Sequence, residues 1–320
     1  MFLGKSAAAD RKEYIMKIVI LDGYTVNPGD LSWEALENIC DVTVYDKTPA
    51  DKIVERTGDA EILMTSKNFI TREVMEACPN LKYIGSLATG YNNIDIAAAK
   101  DMGIAVTNIP AYSTDSVAQH VFALILELCN YVALHNDSVQ KGNWTNCEHF
   151  CYWEKPMVLL KGKSLGIVGY GQIGRRVAEI AEVFGMTVNV YSRDREAAVK
   201  SDFLSLHCPL TTENAKMINK EFIEEMKDGA VLINTARGGL LNEQDVAEAL
   251  RSGKLAAAAV DVASVEPIAA DNPLLGLENC IITPHIAWSP EEMRMIICET
   301  LATNLQSWLS GGTQNRVDLL

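Results

Sequence analysis

The chain has 320 residues, of which 48% are hydrophobic and 22% are charged, and its formal net charge is −14. At about 100–200 residues per domain this length predicts two domains, and the composition is that of a globular protein and not of a disordered one. The acidic balance argues against nucleic acid or an anionic membrane surface as a partner, because either would require a basic patch.

Eight cysteines are spread along the chain without a C-x-x-C pair or a second pair at zinc-binding spacing. We therefore expect reduced thiols, a cytoplasmic protein and no metal site. No apolar run approaches the roughly 18 residues of a membrane span. The first fifteen residues lack the apolar stretch of a signal peptide, and Met16, directly before a strand, is a candidate for the native start.

The first part of the chain alternates short β-branched runs with helical patterns. Such alternation indicates a parallel sheet that is covered by helices on both faces. The predicted strands are Lys17–Leu21, Val42–Tyr45, Ile62–Thr65, Leu81–Leu87 and Ile104–Thr107, and the predicted helices are Ser32–Ile39 and Ile96–Lys100.

A longer helix follows, with Ser113 or Thr114 as its cap and apolar residues at helical spacing from Val117 to Tyr131. Residues 136–156 come next and are rich in aromatic side chains, and we expect them to be irregular. Two interpretations of this segment stay open. It is either a loop that packs on its own chain or an arm that reaches a second subunit.

A second α/β series begins at Ser164 and ends with a long helix from about Pro290 to Leu309. We therefore predict two doubly wound parallel-sheet α/β domains linked by two long helices. The expected domains are a discontinuous one, 16–112 plus 290–320, and a continuous one, 113–289. The predicted strands of the second series are Ser164–Val168, Thr187–Tyr191, Phe203–Leu206, Ala230–Asn234, Ala257–Asp261 and Cys280–Thr283, with a helix to about Phe184 after the first.

The strongest local motif is the glycine-rich sequence Gly169-Tyr170-Gly171-Gln172-Ile173-Gly174, which follows an apolar strand and opens an amphipathic helix. In this context Gly169 permits the tight turn, Gly171 lets the backbone approach a pyrophosphate, and Gly174 lets helix and sheet pack closely. The free N–H groups at the helix start favour a diphosphate. The motif predicts a dinucleotide site.

The end of the next strand departs from the usual NAD pattern. An acidic residue about 20 positions after the motif normally binds the ribose 2′-hydroxyl, but here Ser192 stands at that position and Arg193 and Arg195 are close behind. The missing carboxylate and the arginine at 193 favour acceptance of NADP(H). The alternative is that Asp194 binds the hydroxyl and that NAD(H) is used.

Three side chains follow predicted strands of the second series. Arg237 follows Ala230–Asn234, Glu266 follows Ala257–Asp261, and His285 follows Cys280–Thr283. Because ligands bind outside the carboxyl ends of the strands in an open α/β sheet, we expect the three to converge. None of the other histidines has a comparable setting, although His207, at the end of a strand, is expected to flank the cofactor.

These residue types suit the reduction of a 2-oxo acid. The reaction needs a hydride at the carbonyl carbon and a proton on the carbonyl oxygen, and a histidine supplies protons near neutral pH. Glu266 would stabilise the imidazolium of His285. Arg237 would hold the substrate carboxylate and polarise the carbonyl.

With these motifs the sequence resembles the D-isomer-specific 2-hydroxyacid dehydrogenase family, and within it the hydroxypyruvate reductases, also called glycerate dehydrogenases. The likeness extends from Met16 to the C-terminus. The motifs that carry it are Leu21-Asp22-Gly23-Tyr24, Asn27-Pro28-Gly29-Asp30, Leu87-Ala88-Thr89-Gly90-Tyr91-Asn92, Asp115-Ser116-Val117-Ala118-Gln119, Ser205-Leu206-His207-Cys208-Pro209-Leu210, Asn234-Thr235-Ala236-Arg237-Gly238-Gly239 and Pro284-His285-Ile286-Ala287-Trp288.

The resemblance implies a flavodoxin-like substrate domain, a Rossmann dinucleotide-binding domain and a homodimer. It implies that Arg237 binds substrate, Glu266 tunes His285, and His285 is the acid/base. It also implies that the backbone of Ala88, Thr89 and Gly90 grips the substrate carboxylate and that Asp261 holds the nicotinamide carboxamide. The other residues expected at the cofactor are Gly169, Gly171, Gln172, Ile173, Gly174, Ser192, Arg193, His207, Pro209, Thr235 and Ala236.

One further departure from the family is that the segment between Tyr191 and Phe203 is short, as if a strand and part of a helix beside the adenosine were missing. The leading hypothesis is the interconversion of hydroxypyruvate and D-glycerate, with glyoxylate as a second substrate, NAD(H) or NADP(H) as cofactor, and domain closure to exclude water. Two alternatives stay open: a corepressor-like interaction protein that senses the dinucleotide, and a D-lactate-type dehydrogenase.

Overall fold

The computed structural model describes residues 15–320. The prediction that the native chain starts at Met16 depends on the residues before Met16, and almost all of these lie outside the described part. The chain divides into two compact units. One runs to Tyr112 and resumes at Glu291–Leu320, and the other is Ser113–Pro290. Each unit is a parallel sheet with helices, which confirms the predicted α/β fold class.

The first unit contains a five-stranded parallel sheet in the order β2-β1-β3-β4-β5. Every residue of β3 and β4 is buried, which agrees with their largely apolar sequences, because a parallel sheet is covered on both sides. The elements are β1 (Lys17–Ile20), α1 (Glu34–Glu37), β2 (Asp41–Val44), α2 (Ile53–Thr57), β3 (Ile62–Thr65), α3 (Arg72–Glu76), β4 (Tyr83–Ser86), α4 (Ile96–Asp101) and β5 (Ala105–Thr107).

The second unit contains a six-stranded parallel sheet in the order β11-β10-β9-β8-β6-β7. The elements are α5 (Thr114–Asn130), α6 (Val132–Gln140), β6 (Ser164–Val168), α7 (Gln172–Val183), β7 (Thr187–Val190), α8 (Arg195–Val199), β8 (Phe203–Leu206), α9 (Lys220–Glu225), β9 (Ala230–Asn234), α10 (Glu243–Ser252), β10 (Leu255–Val260) and β11 (Cys280–Ile282), and α11 (Glu291–Leu309) returns to the first unit.

Helices cover the six-stranded sheet on both faces. Apolar residues of α5 and α7 pack with one face, and those of α9 and α10 pack with the other. The strand order changes direction beside β6, so the carboxyl ends of β6 and β8 flank the point where a doubly wound sheet binds its ligand. This arrangement places the glycine-rich turn at the switch point.

One predicted irregular segment was partly wrong, and one predicted cap is in place without its side-chain hydrogen bond. Residues 136–140 are helical, because α6 continues to Gln140 before the irregular part begins. Ser113 does stand at the N-cap of α5, but its side chain makes no capping hydrogen bond, and its carbonyl accepts one from the Ser116 hydroxyl. Within residues 15–320, no single helix is long and apolar enough to cross a membrane, although α5 and α6, bent by 55°, pass that test as a pair.

Candidate active site

The glycine-rich turn lies between β6 and α7 and touches the end of β8. Gly169 has φ +97°, and a Cβ at this position would lie 2.4 Å from the backbone nitrogen of Cys208. Only glycine allows both the left-handed conformation and this close approach. Gly174 is buried in the first turn of α7, while Gln172 begins that helix and Ile173 packs partly against the core.

The turn offers room and hydrogen-bonding atoms to a dinucleotide. A Cβ built on Gly171 would meet no atom within 4 Å, so a ligand can approach the backbone there. Among the residues that the structure describes, His207 Nδ1 and Thr235 Oγ1 are the buried side-chain atoms without a hydrogen-bond partner. They follow the neighbouring strands β8 and β9. Buried polar atoms rarely stay unpaired, so these two fit a bound cofactor.

His207 lies at this site as a neutral base. Burial lowers the pKa of its imidazole from the usual 6.5 to about 4. Its Nε2 is 2.9 Å from the hydroxyl of Ser205, which leaves Nδ1 for a ligand. His207 can therefore form a hydrogen bond with a cofactor near neutral pH, but it brings no positive charge to the diphosphate.

The residues after β7 show which side chains are available to the adenosine ribose. The Arg193 guanidinium lies 4.8 Å from the centre of the Tyr170 ring, and that of Arg175 lies 5.6 Å from it. Asp194 caps α8 by accepting a hydrogen bond from the Ala197 N–H at 3.0 Å. Arg195 is paired with Glu225 at 2.5 Å.

His285 and Glu266 form a direct pair. Their Nδ1 and Oε2 atoms are 2.7 Å apart, and the side chains are 26% and 34% exposed. The other carboxylate oxygen of Glu266 accepts a hydrogen bond from the Ala263 N–H at 3.2 Å. Because Glu266 occupies Nδ1, the opposite ring nitrogen, Nε2, is the one that could face a ligand.

The loop that carries Arg237 touches the loop that carries Glu266. A Cβ on Gly238 would lie 1.9 Å from the carbonyl carbon of Ala263, so only glycine permits this contact. Asn234 is fully buried and fixes the Arg237 loop, since its amide donates to the Arg237 carbonyl and its oxygen accepts from the Ala236 N–H. The exposed Arg237 guanidinium donates to the Ala236 carbonyl at 2.7 Å.

The backbone of His285 adopts a conformation that favours glycine, with φ +56°. A non-glycine residue in this region costs on the order of 1–3 kcal/mol, which the surroundings must offset. The His285 N–H donates to the Thr283 carbonyl at 3.0 Å, and the Trp288 indole donates to the His285 carbonyl at 2.8 Å. The carboxylate of Asp261, 1% exposed, accepts from the Ile286 and Ala287 N–H groups at 2.9 Å each.

The predicted substrate loop in the first unit follows β4. The carbonyls of Ala88, Thr89 and Gly90 accept hydrogen bonds from Ile109, Asn108 and Ser86 respectively. In a trans peptide the N–H points opposite to its carbonyl, so the N–H groups of Thr89 and Gly90 are directed away from these partners. Such N–H groups suit a carboxylate.

Sequence reasoning missed two features of the second unit. His120 contacts Thr283 and Asp261, although no motif in the sequence assigns it a role. Its position one helical turn after Val117, beside the apolar face of α5, is the signal that indicates a partly buried histidine. Tyr170 contacts two arginines, and its place inside the glycine-rich motif is the corresponding signal.

The remaining predicted cofactor residues, Ser192 and Pro209, are exposed.

Comparison with known proteins agrees with this geometry. Residues 122–287 match the model of the D-isomer specific 2-hydroxyacid dehydrogenase, NAD binding domain. The chain is 46% identical over 321 residues to a hydroxypyruvate reductase of Blautia hydrogenotrophica, and the alignment covers 95% of this chain and 100% of that relative. Since the alignment is longer than this whole chain, the relative has residues that this chain lacks.

Two solved structures are similar over nearly the whole length. An acyclic imino acid reductase, Bsp5, in complex with NADPH and D-Arg has a TM-score of 0.81 at 30% identity, covering 94% of this chain and 100% of that one. The D-lactate dehydrogenase of Aquifex aeolicus, complexed with NAD and lactic acid, has a TM-score of 0.80 at 30% identity, covering 94% and 99%. The chain thus belongs to the D-isomer specific 2-hydroxyacid dehydrogenase family, as an oxidoreductase that interconverts a 2-oxo acid and a D-2-hydroxy acid with a nicotinamide cofactor.

Proposed function

We propose that the chain reduces hydroxypyruvate to D-glycerate, with His285 as the proton donor and Arg237 as the substrate-binding cation. The observation that carries this assignment is the 2.7 Å contact between His285 Nδ1 and Glu266 Oε2. The similarity to a hydroxypyruvate reductase supports the choice of substrate. It does not favour the alternative of a dinucleotide-sensing interaction protein.

The reaction consumes hydroxypyruvate, one reduced nicotinamide and one proton. When bound, the nicotinamide supplies a hydride for the carbonyl carbon. His285 holds its Nδ1 proton toward Glu266 and transfers a proton from Nε2 to the carbonyl oxygen, and in the reverse direction the neutral Nε2 accepts it. A positioned acid of this kind contributes about 10²–10⁴-fold to the rate.

Arg237 acts on the other end of the substrate. Its guanidinium is charged at every relevant pH and can exchange its bond with the Ala236 carbonyl for a carboxylate. The N–H groups at Ala88–Gly90 are assigned to the same carboxylate by the family resemblance, and this role stays a prediction. Asp261 as the partner of the nicotinamide carboxamide likewise stays a prediction.

NADP(H) is the preferred cofactor in this proposal. Ser192 brings no negative charge toward a 2′-phosphate, and Arg193, stacked near Tyr170, is placed just after β7. Asp194, the candidate for the ribose hydroxyl in the NAD(H) alternative, already serves as the cap of α8. The residues for the diphosphate are those of the Gly169–Gly174 turn.

The assembly in this proposal is a cytoplasmic homodimer. Each of the eight cysteines is a free thiol, which suits a reducing compartment. The irregular segment after α6 exposes Trp144, Phe150 and Trp153, and a partner subunit would cover these side chains. This favours the interpretation of residues 136–156 as a dimerisation arm.

A spectrophotometric assay with a panel of 2-oxo acids tests the function. We expect oxidation of NADPH with hydroxypyruvate to exceed that with glyoxylate and pyruvate, and we expect His285→Ala to reduce kcat by about 10²–10⁴-fold. The variant should still bind NADPH, because the glycine-rich turn is unchanged. Normal turnover by His285→Ala would refute the mechanism, and a preference for pyruvate would support the D-lactate-type alternative.

A further inference from the structure

A second histidine lies within the unit that carries the catalytic pair, but outside the proposed chemistry. His120 projects from α5, and its side chain is 20% exposed. Its Nε2 is 3.1 Å from the Thr283 hydroxyl and 3.5 Å from an oxygen of the Asp261 carboxylate. Both partners lie at the carboxyl ends of strands, Asp261 directly after β10 and Thr283 directly after β11.

The Asp261 carboxylate is the centre of this cluster. It accepts hydrogen bonds from the Thr283 hydroxyl at 2.6 Å and from the N–H groups of Ile286 and Ala287 at 2.9 Å each. All three donors belong to the five-residue segment 283–287. One buried carboxylate therefore holds the segment on both sides of His285.

The direction of the hydrogen bonds defines the part played by His120. The Thr283 hydroxyl has one proton, which it donates to Asp261, so its oxygen accepts a hydrogen bond from His120 Nε2. His120 thus orients the hydroxyl and adds a donor beside a buried carboxylate. A carboxylate in this position needs such donors, because burial without them is costly.

His285 depends on this support because of its backbone. At φ +56° the residue is in the left-handed region, where a side chain is disfavoured, and the segment must be held there from outside. The Asp261 hydrogen bonds fix the two residues that follow His285. The Glu266 contact then fixes the imidazole itself.

We propose that His120 is a positioning residue for His285 and acts through Thr283 and Asp261. This inference rests on the proposed role of His285 as the acid/base. His120 touches neither substrate nor reacting atoms in this scheme. Its loss would remove one of the two hydrogen bonds of the Thr283 hydroxyl and leave the 283–287 segment less restrained, so the imidazole would sample more orientations and the proton transfer would slow.

The test is a double-mutant cycle of His120→Leu and Thr283→Val, assayed with NADPH and hydroxypyruvate. We expect each single variant to lower kcat about tenfold, while the KM for hydroxypyruvate stays within about twofold. Because both residues belong to one chain of hydrogen bonds, the double variant should be no slower than the slower single one. Thr283→Ser, which keeps the hydroxyl, should retain most of kcat.

Gln119→Ala is the matched control, since Gln119 is the exposed neighbour of His120 on the same helix. It should leave kcat unchanged. Full kcat in both single variants, or losses that multiply in the double variant, would overturn the inference. If kcat falls only in proportion to the fraction of the protein that still binds NADPH, the role of His120 is merely structural. This result would also overturn the inference.

Two comparisons keep the outcomes separate. If His120→Leu fails to fold, the comparison of Thr283→Val with Thr283→Ser decides, because Thr283→Ser keeps the hydroxyl and Thr283→Val lacks it. If the wild-type protein fails to reduce hydroxypyruvate, the proposed function is wrong. If the wild type is active, His285→Ala is inactive and His120→Leu is fully active, only the role of His120 is wrong.

Discussion

Arg193 and Arg195 are two residues apart, yet their surroundings give them different tasks. Arg195 is bound to Glu225 and to the Tyr191 hydroxyl, and it packs against the rings of Tyr191 and Phe222. Arg193 lies over the Tyr170 ring, inside the glycine-rich motif. The position of Arg193 is the one that suits a 2′-phosphate.

We expect Arg193→Ala to weaken NADPH binding by about tenfold or more, because a hydrogen bond between charged groups contributes about 1.5–3 kcal/mol. NADH binding should change by less than about twofold, since NADH lacks the phosphate. Fluorescence titration with both cofactors measures the two Kd values. Arg195→Ala is the control, and an equal loss of NADPH affinity in both arginine variants would contradict the assignment.

His207 makes the stability of the protein depend on pH. Its pKa is lowered from 6.5 to about 4 by burial, so the unfolded chain binds more protons than the folded one between these values. Above pH 6.5 the imidazole is neutral in both the folded and the unfolded chain, and the free energy of unfolding does not depend on it. As the pH falls from 6.5 toward 4, the free energy of unfolding decreases by roughly 3 kcal/mol. Replacement by glutamine, which does not titrate, should reduce the pH dependence within this window.

Urea unfolding at several pH values between about 7 and 4 measures this effect. The wild type should lose stability on acidification faster than His207→Gln, and the two curves should separate above the range in which ordinary carboxylates titrate. Parallel curves would show that the imidazole is accessible to protons in the folded state.

At the scale of elements, α8 connects β7 to β8 across the shortened segment. This helix has five residues, and it begins at Asp194, whose carboxylate accepts the Ala197 N–H. A side-chain cap stabilises a helix start by about 1 kcal/mol. Because only α8 and short connections separate β7 from β8, the cap helps to define where Ser192 and Arg193 lie.

Asp194→Ala should therefore lower the free energy of unfolding by about 1 kcal/mol. NADH affinity should stay within about twofold, because the carboxylate is used by the helix and not by the ribose. Asp194→Asn, which preserves a capping oxygen, serves as the control in denaturation and NADH titration. A tenfold loss of NADH affinity in Asp194→Ala without a loss of stability would instead support the NAD(H) alternative.

The sequence predicts the long elements and the central strands better than the short helices. Ile62–Thr65, Ser164–Val168, Phe203–Leu206 and Ala230–Asn234 agree with the structure residue for residue, because each is a compact apolar run. Helices α2 and α9, of five and six residues, span too few turns for a clear apolar period. Their position is determined by packing on the sheet.

In the site, too, local sequence patterns predict some contacts, while others depend on how the chain packs. His285 and Glu266, each soon after a strand, were expected together, and the structure pairs them. His120 and Thr283 are 163 positions apart, and no local pattern relates a residue on α5 to the end of β11. Contacts of this kind follow from the way the sheet and helices pack, which a single sequence does not reveal.

At the scale of the whole molecule, the net charge of −14 opposes the approach of an anionic substrate. Three exposed arginines follow strand ends or the glycine-rich turn, namely Arg175, Arg193 and Arg237. They bring positive charge to the places where the anionic groups of cofactor and substrate are expected. An overall acidic protein can thus retain local attraction for phosphate and carboxylate.

The exposed aromatic residues after α6 predict the oligomeric state. Phe150 is 91% exposed and Trp153 is 64% exposed, and large aromatic side chains at such exposure are typical of subunit interfaces. Light scattering should give about twice the 35.1 kDa of one chain. Phe150→Asp with Trp153→Asp should shift the mass to a single chain, whereas Leu320→Asp, at an equally exposed position outside the arm, should not. A wild-type protein of single-chain mass at high concentration would contradict the dimer.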